Sequence, residues 1–101
     1  MPIMQISVVP LGTKVPSVSK YVADIIKVLK KERDIKYELT SMSTIIESDS
    51  LDRLFEVAKK MHKVPFDKGA LRVVTSISID DRLDKPLSIK GKLNSVKKRL
   101  K

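Results

Sequence analysis

The sequence predicts an α+β fold, a ferredoxin-like α/β sandwich in which two helices cover one face of a four-stranded antiparallel sheet and a third helix follows at the C-terminus. Three observations predict it. Stretches of period-2 alternation and stretches with apolar residues 3 and 4 apart succeed one another as strand, helix, strand, strand, helix, strand, helix. The two middle strands are separated only by Ser41, Met42 and Ser43, as in a hairpin. The chain has 101 residues, enough for one modest core and not for two, so residues 1–101 are assigned to a single domain.

Residues 3–9 alternate, with Met4, Ile6 and Val8 on one face and Gln5 and Ser7 on the other, the pattern of a strand with a central place in the sheet. Pro10, Leu11, Gly12 and Thr13 end it in a turn, because Pro10 cannot donate to a ladder and Gly12 tolerates positive φ. Gly12 and Thr13 before a helix can also hold an anion at its N-terminus, but a plain strand-to-helix turn is the favoured reading of them. From Ser17 onward, Val18, Val22, Ile25, Ile26 and Leu29 line one face of an amphipathic helix that ends near Lys31, Glu32 and Arg33. Ser17 or Ser19 is the expected cap.

Tyr37 and Leu39 share one face of the next strand, with Glu38 and Thr40 on the other; residues 44–47 form its partner. Leu51, Leu54, Phe55, Ala58 and Met61 then show helical spacing, capped by Asp49 or Ser50. His62 is expected at the C-terminal end of that helix, favoured by the dipole, and residues 64–69 read as a loop punctuated by Pro65 and Gly69. The clearest strand follows: Leu71, Val73, Thr75, Ile77 and Ile79 alternate with Arg72, Val74, Ser76, Ser78 and Asp80. It closes at Asp80, Asp81 and Arg82, read as a solvated turn with local Asp–Arg pairing. Ile89, Leu93, Val96 and Leu100 form the stripe of a last amphipathic helix. Two helices leave the second sheet face bare, so cover from this third helix or from a second subunit is expected, the latter most often symmetric.

Composition narrows the function classes. The chain lacks cysteine, which excludes disulfides, thiolate metal sites and cysteine nucleophiles, and it has one histidine. No apolar run approaches the ~18 residues of a membrane span, and the N-terminus has no basic-then-apolar signal, so a cytoplasmic, non-membrane protein is expected. The formal charge of +9 raises nucleic acid as a partner. Residues 85–101 hold seven basic residues and no acid, however, which leaves 14 basic against 12 acidic in residues 1–84. With four aromatics and no stacking platform, nucleic acid is not the expected main partner; binding of it, or of another acidic partner, through the basic C-terminal helix stays as the alternative. No nucleophile–base pair or metal cluster is legible, which argues against an enzyme.

Three stretches carry a resemblance. Pro10-Leu11-Gly12-Thr13 is followed by Ser17-Val18-Ser19 and Tyr21-Val22-Ala23. Tyr37-Glu38-Leu39-Thr40, Met42, Thr44 and Ile46-Glu47 form the second stretch. Gly69, Arg72-Val73 and Ile79-Asp80-Asp81-Arg82 with Asp84-Lys85 form the third. Together, over nearly the whole chain, they resemble the small thiamine-binding protein family of the YkoF-like superfamily, formerly of unknown function. That family commonly has Pro and Gly flanking the hairpin methionine, where this chain has Ser41 and Ser43. The resemblance implies a ferredoxin-like domain that assembles as a homodimer or homotetramer and binds thiamine or its pyrimidine moiety without catalysis, as carrier, buffer or sensor. No cofactor and no metal are implied beyond thiamine as ligand.

For such a ligand, Glu47 is the candidate carboxylate for the amino group or the cation, with Ser43 and Thr44 as neutral hydrogen-bond partners. Gly12 and Thr13 would meet the hydroxyethyl tail, and Arg72 would pair with a phosphate or orient Glu47. Each has a plainer structural reading: Glu47 beside the N-terminus of the following helix needs no ligand, and Arg72 and Arg82 suit salt bridges.

Overall fold

A computed structural model of the chain describes residues 1–12 and 19–100. Its elements follow the expected order: β1 (Ile3–Leu11), α1 (Ser19–Lys30), β2 (Lys36–Leu39), β3 (Thr44–Glu47), α2 (Leu51–Asp67), β4 (Arg72–Asp80) and α3 (Ile89–Arg99). The four strands form one antiparallel sheet in the order β2-β3-β1-β4, with β1 central, which is the ferredoxin-like arrangement.

Alternation sorts the side chains to two faces. Met4, Ile6, Val8 and Ile46 pack beneath Ile25 and Leu29 of α1 and Leu54, Val57, Ala58 and Met61 of α2 to make the core. The cap of α2 is Ser50, whose Oγ accepts from the Arg53 amide at 3.1 Å. Thr13 and the expected cap Ser17 lie outside the described residues.

The structure departs from the sequence reading in α2. Residues 64–67, expected as loop, continue the helix through Pro65. A proline there forfeits one ladder bond near the end of the helix, and the burial of both Val64 and Pro65 offsets that loss. His62 therefore lies a turn inside the helix, not at its end. Its Nδ1 is 2.6 Å from Thr75 Oγ1 on β4, and its ring meets Phe66 edge-on.

The helix stops instead at Gly69, which has φ 97°; the Gly69 amide donates to Phe66 O and the Ala70 amide to Pro65 O. Gly69→Ala is expected to destabilise the fold by about 1 kcal/mol, because the new Cβ opposes the left-handed backbone rather than any neighbour. Urea unfolding with an unchanged m-value checks this.

One ion-pair cluster ties the end of α1 to α2. Arg53 bridges Glu32 at 2.6 Å, Asp34 at 2.8 Å and Glu56 at 3.2 Å, and Lys60 reaches Glu32 at 2.6 Å. Hydrogen bonding from Arg53 holds the Asp34 carboxyl at about 2, below its ordinary 3.8, and Lys60 with Arg53 lowers Glu32 in the same direction. On acidification the unfolded chain takes up these protons first. The cluster's stabilisation is thus present above about pH 4 and drains away as pH falls toward 2. Arg53→Met should flatten the acid limb of a stability–pH curve between those values and leave the neutral-to-basic limb nearly parallel to wild type.

The pairing expected within Asp80, Asp81 and Arg82 is also revised. Arg82 pairs with Asp84 at 2.6 Å, which depresses the Asp84 carboxyl, while Asp80 reaches out of the turn to Lys92 of α3.

Candidate functional site

The second face of the sheet carries Ile3, Gln5 and Ser7 of β1, Ile45 and Glu47 of β3, Glu38 of β2, and Ser76, Ser78 and Asp80 of β4. Register aligns them in rows that cross all four strands. Glu38, Ile45, Gln5 and Ser78 form one row; Lys36, Glu47, Ile3 and Asp80 form the next.

Over these rows lies α3. Its cap is Ser88, whose Oγ accepts from the Gly91 amide at 2.9 Å, and a Cβ on Gly91 would come within 2.8 Å of that oxygen. No residue of α3 is buried; Leu87 just before it is. Two polar contacts fix the helix to the sheet: Glu47 Oε1 accepts from the Ile89 amide at 3.1 Å, and Asp80 pairs with Lys92. Glu47 is only 2% exposed, so a carboxyl in the middle of the fold serves an otherwise unpartnered amide in the first turn of the third helix. The sequence placed it near the N-terminus of the second helix; its partner belongs to the third.

Between α3 and the sheet lies a cavity of about 400 Å³. Ile3, Ile45, Ile89 and Leu93 give it apolar walls, and Gln5, Ser78, Glu38 and the Asp80–Lys92 pair give it polar groups. This volume is within the usual range for a small-molecule pocket, ~300–1,000 Å³, and the mixture of apolar wall and few polar groups is also typical. With Lys92 committed to Asp80, the uncompensated charge is the Glu38 carboxylate, which makes no side-chain hydrogen bond or ion pair among the described residues. The cavity is therefore suited to a cation or to a hydrogen-bond donor.

The residues named from the sequence do not converge on this one place. Glu47 does not line the cavity; from the sheet it anchors the first turn of α3, which roofs it. Ser43 and Thr44 line a different cavity, under α1. Arg72 pairs with Leu11, the residue before Gly12, at the opposite end of the β1–β4 ladder. Eight register positions separate that pair from the Ile3–Glu47 pair, about 26 Å of strand, so Arg72 does not orient Glu47. Gly12, directly after β1, has φ 73°, in the left-handed region that favours glycine. The hairpin turn itself closes without glycine: Thr40 Oγ1 accepts from the Ser43 amide at 3.1 Å and lies 3.0 Å from Ser43 O, and among the described residues none but glycine has positive φ. Ser41 and Ser43 thus fit the turn.

Glu38, Gln5 and Ser78 were missed as site residues. Each is legible as the polar side of its own strand, but only the register brings them into one row.

The family model for the thiamine-binding protein family matches residues 4–97. YqgV of Bacillus subtilis, a UPF0045 protein, is 48% identical over 99% of this chain and 98% of its own. The crystal structure of MJ1052 from Methanocaldococcus jannaschii superposes with a TM-score of 0.85 at 40% identity, covering 95% of both chains. A domain of unknown function from Bacillus cereus superposes at 0.78 with 34% identity, over 91% of this chain and 86% of that one.

Proposed function

The chain belongs to the thiamine-binding protein family, and from that premise we propose that it binds thiamine, or the aminopyrimidine part of it, in the cavity between α3 and the open face of the sheet. The observation that carries this reading is the Glu38 carboxylate, without a side-chain partner among the described residues, in a largely apolar cavity of about 400 Å³. An aminopyrimidine presents an amino donor to Glu38 and ring nitrogens to Gln5 or Ser78; the thiazolium cation gains from the same carboxylate. Ile3, Ile45, Ile89 and Leu93 offer apolar surface to the rings. Nothing in this arrangement activates a nucleophile, so the proposed role is binding without catalysis, as a carrier, buffer or sensor.

Self-association is part of the proposal. The stripe of α3 expected to pack inward is exposed at Leu93 (47%), Val96 (56%) and Leu100 (79%), and β4 is an edge strand with exposed Val74, Ile77 and Ile79. The radius of gyration, 14.8 Å, exceeds the ~13 Å of a compact chain of this length. A symmetric dimer or tetramer that covers these residues accounts for both. Native mass spectrometry at micromolar concentration should show an even-numbered assembly, and Val96→Asp should shift it toward monomer. A monomer in wild type overturns this part. No helix among the described residues is long and apolar enough to cross a membrane.

A further inference from the structure

The hairpin separates two cavities of opposite electrostatic character. The second, of about 790 Å³, lies under α1. Its origin is a mismatch of strand lengths: β1 pairs with β4 at nine positions and with β3 at only four. From Ser7 onward the other edge of β1 has no strand partner among the described residues, and Ser7, Val8 and Val9 all line the cavity. On α1 the lining row runs Ala23, Lys27 and Lys30, spaced 4 and 3, which puts two ammonium groups on one flank of the helix. The remaining wall is the hairpin turn, residues 39–44, with its hydroxyls and the exposed Met42.

No aspartate or glutamate is among the described lining residues. Lys27 pairs with Asp24 at 3.8 Å, a carboxylate outside the lining, and its side chain stays 75% exposed, while Lys30 has no ion pair among the described residues. Both lysines have a structural use in the last turn of α1, where they oppose the helix dipole. That use does not account for an apolar gap of this size beside them.

We infer that this cavity is a second binding site, for a small organic anion with an aromatic or branched apolar body. The anionic head would lie between Lys27, Lys30 and the Ser41 and Ser43 hydroxyls, and the body against Val8, Val22, Ile26 and Leu39. Its ligand class is opposite to that of the acidic cavity under α3, so one chain would hold a cation and an anion on opposite faces of the same hairpin. The inference does not depend on thiamine occupying the first cavity.

The test is a heteronuclear NMR titration with 1-naphthyl phosphate, 1-naphthoate and 1-naphthol. The two anions are expected to shift amides of residues 22–30 and 40–44 and to bind about tenfold or more tightly than the naphthol; their ranking separates a phosphate from a carboxylate head. Lys27→Gln/Lys30→Gln should weaken both anions about tenfold, with only a small fall in melting temperature from the lost dipole and Asp24 interactions. Lys97→Gln/Lys98→Gln, far along α3, should change nothing. Equal binding of the naphthol, shifts confined to α3, or unchanged affinity in the Lys27/Lys30 double variant would each overturn the inference. Glu38→Gln should leave anion binding intact, so the two sites fail or stand separately.

Discussion

Glu47→Ala is expected to destabilise the protein by about 2 kcal/mol and to release α3 from the sheet. The carboxyl is nearly inaccessible, and its Oε1 is the acceptor for the Ile89 amide at 3.1 Å. Truncation leaves that donor unpartnered and opens a void beneath the start of the helix. Few contacts can compensate, because α3 buries none of its own residues and is otherwise fixed by Leu87, half-buried Ile89 and the Asp80–Lys92 pair. Glu47→Gln retains an acceptor of the same shape and should lose less than half as much. Two measurements separate local from global effects: urea unfolding reports the overall loss, and hydrogen exchange at residues 91–99 reports the release of α3. Unchanged protection there in Glu47→Ala would show that the contact does not hold the helix. Ligand affinity should fall together with protection, since Ile89, Lys92 and Leu93 reach the cavity only when α3 is docked.

Glu38→Gln is expected to act in the opposite way, on binding and not on the fold. Glu38 is exposed, on an edge strand, with no partner among the described residues, so the change should move stability by no more than about 0.5 kcal/mol. If it is the carboxylate that meets the amino group or the thiazolium, losing its charge removes a charge-assisted hydrogen bond worth ~1.5–3 kcal/mol, a ~10- to 100-fold loss of affinity for thiamine. Isothermal titration of wild type and variant measures it. Equal affinities would place the ligand elsewhere.

The fold was largely legible because its elements carry unambiguous periods: the alternation of residues 71–80 and the 4, 3, 4 spacing of α3 do not admit another reading. Where the reading failed, tertiary burial overrode local signals. Pro65 reads as a breaker, yet the core takes it in at the end of α2, and this moves His62 from a helix terminus to a bond with Thr75. In α3 the stripe is present as read, but Leu93, Val96 and Leu100 stay exposed along it. The candidate site was legible only as chemistry. That a carboxylate would matter near residue 47 could be inferred; which helix it serves could not, because Ile89 lies 42 residues away. Nor could sequence separate Glu38 from Glu47, since the distinction is burial against exposure on a shared sheet face.

The central claim, a thiamine-type ligand under α3, is tested most directly by an amide chemical-shift map of wild type titrated with thiamine. Saturable shifts centred on Gln5, Glu38, Ile45, Ser78 and Ile89, one site per chain and absent in Glu38→Gln, are the predicted result. Shifts centred instead on residues 22–30 and 40–44, or none at millimolar thiamine, would contradict it.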